Sequence, residues 1–202
     1  VGRTQLQKLL ADMVQAGCQY AVIETSSEGI KQWRHFGIQY DICVWTNLFP
    51  EHLDAHGSFA AYKQAKLSLF THLSVLPVKQ INQVTIQKAV VLNGDSKYLK
   101  EFVAAAAVPT KIIWSRSDYR NLTESTDGLS FTLNGYAMTT PLLGAWSIDN
   151  IASAIGVALT QGVDYSTMQT TLARIPQIPG RMEKINAGQP FTVIVDYAYE
   201  PV

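Results

Sequence analysis

Apolar residues recur at helical spacing in the opening stretch, where Leu6, Leu9, Leu10, Met13 and Val14 share one stripe that stops at Gly17. This predicts a helix over residues 5–17. Two short apolar runs follow, Tyr20–Glu24 (YAVIE) and Tyr40–Trp45 (YDICVW), with helical spacing around Lys31–Phe36 between them. Strands separated by helices indicate a parallel sheet. The alternation continues with a helix over 58–73, a strand at 89–92, a helix over 97–106 and a strand at 111–114. Residues 77–87 are polar and proline-bearing, and read as a surface loop. The order is that of a doubly wound α/β fold.

Beyond Tyr119 the period shortens. Strands broken at Asp127-Gly128 and Asn134-Gly135 predict a small antiparallel sheet up to Thr140. A helix is expected from Ser147 to Gln161, stopped by Gly162, and a shorter one from Ser166. Gln177–Gly180 reads as a junction, followed by strands at 182–185 and 192–195 around Ala187-Gly188. The run TVIVDYA has the character of a buried strand, yet no helix follows it. The expectation is therefore a central domain over 1–176, with 177–202 forming a junction and the first strands of a following domain.

The 202 residues carry 16 Lys and Arg against 16 Asp and Glu, and 47% are hydrophobic. That balance, without a basic run, argues against a nucleic-acid track and leaves any phosphate binding local. No apolar stretch reaches the roughly 20 residues needed to span a bilayer, so a cytoplasmic protein is expected. Cys18 and Cys43 fall in segments that read as a helix end and a strand, and are expected to be buried, reduced thiols.

Three clusters carry candidate chemistry. Glu24-Thr25-Ser26-Ser27-Glu28-Gly29 stands where a strand gives way to a helix. Ligands of open α/β sheets gather at that end of the strands, so Glu24 suits a hard cation and the serines a polar substrate. A serine followed by a glutamate also suits a helix N-cap. The second cluster, Thr46 to Gly57, brings Asn47, His52, Asp54 and His56 to the next strand end, a composition fit for a metal or for acid–base work. One of its histidines could equally cap the next helix. Third, Lys66 closes Tyr62-Lys63-Gln64-Ala65-Lys66. On an inner face it could bind phosphate or become a carbamate; on an outer face it would be a solvated lysine.

Taken together, ETSSEG, TNLFPEHLDAHGSFAAYKQAK, LNGDS, GAWSIDNIASAIGVA, IPGRME and VDYA resemble the Mur ligases in order and spacing, over essentially the whole chain. The paired serines and the HLDAHG form are nearest to the members that add the third residue of the peptidoglycan peptide. The resemblance implies an ATP-dependent ligase built on a P-loop-type central domain. It implies that Glu24 and His52 hold Mg2+, and that Lys66 is carbamylated and helps hold a second ion. Ser26, Gln32, Arg34, Asn47 and His56 would face the UDP-muramoyl-peptide. Asn150 would read the adenine of ATP, Arg181 would lie near its phosphates, and Asp196 would contact the ribose. The partners implied are the UDP-muramoyl-peptide and an amino acid, with the enzyme a monomer.

The sequence also departs from that family. It holds no glycine-rich loop ending in Gly-Lys-Thr, which the family layout would set upstream of Val1, so these 202 residues are expected to be inactive alone. Ser147 stands where the family often has asparagine, and Tyr199 where it often has histidine. Two other readings share the fold: a folylpolyglutamate or cyanophycin synthetase-like ligase, and a noncatalytic binding module.

Overall fold

The structure, a computed structural model, describes residues 2–49 and 56–197. It comprises two compact units: Val1–Leu92 with Ser96–Ile112, and Asn93–Asp95 with Ile113–Val202. Among the described residues no helix is long and apolar enough to cross a membrane.

In the first unit, α1 (Arg3–Gln15) forms where its stripe predicts, but none of its residues is buried. Cys18, just beyond it, is exposed, which corrects the expectation of two buried thiols. Cys43 is buried, and desolvation pushes its thiol up to about 12. Residues 20–24 lie outside any strand, with Tyr20 72% and Val22 100% exposed. An apolar run becomes a strand only by hydrogen-bonding to a neighbour, and no described strand pairs with this one. The next helix, α2 (Ser27–Lys31), is earlier and shorter than its spacing suggests. Trp33 adopts left-handed backbone, φ 57°, and halts it short of Phe36.

β1 (Ile42–Trp45) leads to α3 (Phe59–Val75), whose N-cap is Ser58; its Oγ accepts from the Ala61 N–H at 3.2 Å. Residues 77–87, expected as loop, contain a hairpin of β2 (Lys79–Ile81) and β3 (Val84–Ile86). Asn82 and Gln83 take φ of 50° and 66°, the positive pair of a two-residue type I′ turn. Then come β4 (Ala89–Asn93), α4 (Leu99–Ala105) and β5 (Thr110–Trp114). The sheet order is β1-β4-β5, with β1 parallel to β4 from Ile42 opposite Ala89 to Trp45 opposite Leu92.

Every residue of β4 is buried, as a central strand covered on both faces requires. Its Val90 and Leu92 join Trp45, Tyr62, Phe70, Leu73 and Phe102 in one core. Lys88, also buried, donates from Nζ to the carbonyls of Leu73, at 2.7 Å, and Leu76. These lie in and just past the last turn of α3, where carbonyls lack helical partners and the dipole favours a cation.

The second unit holds an antiparallel sheet of β6 (Arg120–Ser125), β7 (Gly128–Leu133) and β8 (Tyr136–Thr140), the small sheet anticipated from the turn signals. Gly128 is required there, since a β carbon would lie 1.9 Å from the Thr140 carbonyl oxygen. α5 (Ser147–Thr160) and α6 (Tyr165–Leu172) follow. Asp164 caps α6, accepting from the Thr167 N–H at 2.8 Å and its hydroxyl at 3.0 Å, and these bonds hold its carboxyl below the usual range. β9 (Glu183–Ile185) and β10 (Val193–Val195) pair antiparallel, as expected, but β10 is not the buried strand its apolar run suggests, since a two-stranded pairing leaves Ile194 and Val195 exposed.

Candidate functional site

The turn into α2 is built by Ser26, whose Oγ accepts from the Gly29 N–H at 3.1 Å. The capping role open to ETSSEG is thus filled by Ser26, while Glu24 is exposed just before it. The adjacent Ser27 is buried, and its hydroxyl lies 3.1 Å from Nε2 of His56. That contact joins the first residue of α2 to His56, two residues before the Ser58 cap of α3. The ring of His56 in turn meets Tyr62 edge-on, with centroids 5.5 Å apart.

Tyr62 is 1% exposed and lies in the first turns of α3. Lys66 follows it by four residues and precedes Phe70 by four, so it stands on the inward stripe of the helix and is half-buried. Its Nζ lies 5.1 Å from the Tyr62 ring centroid, within cation–π range. The inner-face alternative for Lys66 is therefore the observed one. Ser27, His56, Tyr62 and Lys66 make a continuous line of contacts drawing on all three sequence clusters.

Of the other residues expected to face substrate, Gln32 is exposed and donates from Nε2 to Glu28 Oε1 at 2.8 Å. Arg34 is half-buried; its backbone N–H donates to the Gly29 carbonyl at 2.9 Å. Asn47 is exposed, and its carbonyl accepts from the Trp45 indole at 2.8 Å, fixing the chain as it leaves β1. His52 and Asp54 lie outside the described residues.

The second unit carries the residues expected to meet the nucleotide. Asn150 is exposed in the first turn of α5. Its neighbour Asp149 takes a forked contact from Arg116, Nε to Oδ1 at 2.7 Å and Nη2 to Oδ2 at 2.8 Å. The backbone N–H of Arg116 donates to Asp95 Oδ2 at 2.8 Å, so Arg116 links Asp95 to Asp149. Arg181 and Asp196, 15 positions apart, come together where β9 and β10 pair. Asp196 accepts from the Met182 N–H at 3.1 Å, and the Arg181 guanidinium sits over the Tyr197 ring at 5.4 Å while donating to its carbonyl.

Comparison with known proteins bears on what this arrangement is. Residues 2–158 match the Mur ligase middle domain. The chain belongs to the Mur ligase family. It is 37% identical to UDP-N-acetylmuramyl-tripeptide synthetase of Roseiflexus sp. (strain RS-1), covering 98% of this chain and 41% of that protein. It therefore spans about two fifths of the length of that Mur ligase. A solved structure of UDP-N-acetylmuramoyl-L-alanyl-D-glutamate--2,6-diaminopimelate ligase superimposes with a TM-score of 0.78 at 28% identity, over 92% of this chain and 38% of that one. The MurF ligase of Thermotoga maritima in complex with ADP shares the fold, with a TM-score of 0.54 at 19% identity, over 73% of this chain and 33% of that one.

Two members of this line of contacts are not legible in the sequence. Ser27 is masked by its twin Ser26, because nothing in a serine pair tells which hydroxyl turns inward. Tyr62 reads as ordinary core at helical spacing; only its neighbours across the fold reveal that it separates His56 from Lys66.

Proposed function

We propose that this chain handles nucleotide and acyl substrate in a ligase that adds diaminopimelate or lysine to UDP-N-acetylmuramoyl-L-alanyl-D-glutamate during peptidoglycan synthesis. The observation that carries the reading is the convergence of Ser27, His56, Tyr62 and Lys66, joined to the 37% identity with a tripeptide synthetase. A lysine on the inward stripe of α3 has a chemical use that a solvated lysine lacks.

In this reading the terminal carboxylate of the substrate takes the γ-phosphoryl group of ATP, releasing ADP. The amino group of the incoming residue then attacks the acyl carbon, and phosphate leaves. No protein nucleophile is needed, so the protein contributes position and charge. Ser26, Gln32, Arg34, Asn47 and His56 would hold the UDP-muramoyl-peptide. Asn150, Arg181 and Asp196 would hold ATP.

Glu24, His52 and a carbamylated Lys66 would hold Mg2+, which would offset the charge of the transferring phosphoryl group. Carboxylate and carbamate oxygens are the hard donors that this ion takes. Among the described residues no three His, Cys, Asp or Glu side chains gather as a metal site. The proposed set draws one ligand from a modified lysine and another from His52, outside those residues. The carbamate forms when the neutral amine of Lys66 attacks carbon dioxide and releases a proton, turning a cation into an anion.

The test is thermal unfolding of the chain with UDP-N-acetylmuramoyl-L-alanyl-D-glutamate and, separately, with folate. The reading expects saturable stabilisation by the first only. Stabilisation by folate alone would move the chain to the folylpolyglutamate branch, and response to neither would favour a noncatalytic module.

A further inference from the structure

On α5 the buried apolar residues Ile148, Ile151, Ala152 and Ile155 form one inward stripe. Trp146 and Asn150 are four apart on the opposite side, and both are exposed. Trp146 is in helical backbone at the N-cap position, so the i, i+4 relation holds, with β carbons about 5–6 Å apart. An indole 55% open to solvent is an unusual use of the largest apolar side chain.

That indole is held in place. Its Cε2 and Cζ2 atoms lie 2.4 Å from where a β carbon of Gly144 would be, so the ring occupies space that only glycine leaves free. The φ of Gly144, +83°, is likewise one that other residues seldom adopt. The Gly144 N–H donates to Glu124 Oε1 at 3.0 Å, and its carbonyl accepts from the Ser147 N–H at 2.8 Å. Ser147 Oγ donates to the Leu143 carbonyl at 2.7 Å, and the Arg116 fork fixes Asp149. Each of these residues around the indole is tethered, while much of the ring remains open.

We propose that Trp146 is the stacking platform for the purine of the nucleotide, acting with Asn150 one turn later. This rests on the reading of Asn150 as the residue that meets adenine. A carboxamide presents a donor and an acceptor together, the complement of the adenine edge, but it does not fix the plane of the base. An aromatic face beside it does, and a base–aromatic stack contributes enough binding to matter in a shallow site.

Adenosine titrated into the 15N-labelled 202-residue chain tests this without calling on phosphate contacts. The Trp146 indole N–H signal is identified by its absence in Trp146→Phe. The expected result is a saturable upfield shift of that signal together with the Asn150 side-chain amide. Trp146→Ala should weaken adenosine by about tenfold, and Trp146→Phe should retain most of the affinity. Gly144→Ala, which displaces the ring without removing it, should also weaken binding. Saturable shifts at Asn150 with a stationary indole and unchanged affinity in Trp146→Ala would overturn the platform and leave the Asn150 reading intact. Shifts at neither residue would overturn both.

Discussion

Two apolar runs lead into the two halves of the candidate site, and they meet different fates. ICVW becomes β1, paired in parallel with the fully buried β4, and delivers Asn47 from a rigid base. YAVIE, equally apolar, pairs with no described strand, leaves Val22 fully exposed, and delivers Glu24 from a segment anchored mainly by the residues on its C-terminal side. That anchor is the Ser26 cap, the Ser27–His56 contact and Ile30, which joins the hydrophobic core. One half of the site is held by a central strand pairing, the other by a short helix with two polar contacts and one core residue, Ile30. Apolar character alone does not decide which.

The contrast is open to attack on several scales. The largest effect is expected in the sheet: Leu92→Ala in β4 should cost about 2–5 kcal/mol in urea unfolding, through lost burial and a cavity. A cost no larger than that of a surface change would show that β4 does not carry the first unit.

Acid comes next. His35 is buried, its ring 5.1 Å from that of His72, and its pKa is lowered by desolvation and then by His72. A depressed folded pKa means that the unfolded chain binds the proton first. Stability is therefore full above the ordinary histidine value of about 6.5, and falls as pH drops through it toward the folded value. The Tm measured from pH 7.5 to 5 should decline, and His35→Gln should flatten that decline. An unchanged slope in the variant would locate the acid sensitivity elsewhere.

Smaller still is the cap. Ser26→Ala should cost about 1 kcal/mol and loosen the Glu24 side of the site, seen as faster amide exchange over 27–31. The smallest effect belongs to the unpaired run, where Val22→Ser should change stability by less than about 0.5 kcal/mol. A loss comparable to that of Leu92→Ala would mean that residues 20–24 are packed after all, and the contrast would collapse.

Much of this is legible in the sequence, for reasons that differ by residue. The helices expected over 58–73 and 147–161 and the Asn134-Gly135 turn are local signals, and they form over 59–75, 147–160 and between Leu133 and Tyr136, whereas the cap offered to a histidine is taken by Ser58. The strand expected at 20–24 does not form because pairing is not local. The hairpin at 79–86 escapes notice because Pro77 and the polar residues around Asn82-Gln83 imitate a loop, although asparagine at a positive-φ position is the available clue. In the site, the inward placement of Lys66 is recoverable from its spacing to Tyr62 and Phe70. The choice of Ser27 as the partner of His56, and the seating of Trp146 on Gly144, depend on contacts across the fold.

The proposed chemistry turns on Lys66 being reactive rather than merely solvated. A carbon-13 spectrum of the chain with Mg2+ and labelled bicarbonate measures this directly. The expected result is one protein-bound carbamate signal that vanishes in Lys66→Arg. A spectrum holding only free bicarbonate, or a carbamate signal that survives in Lys66→Arg, would contradict it.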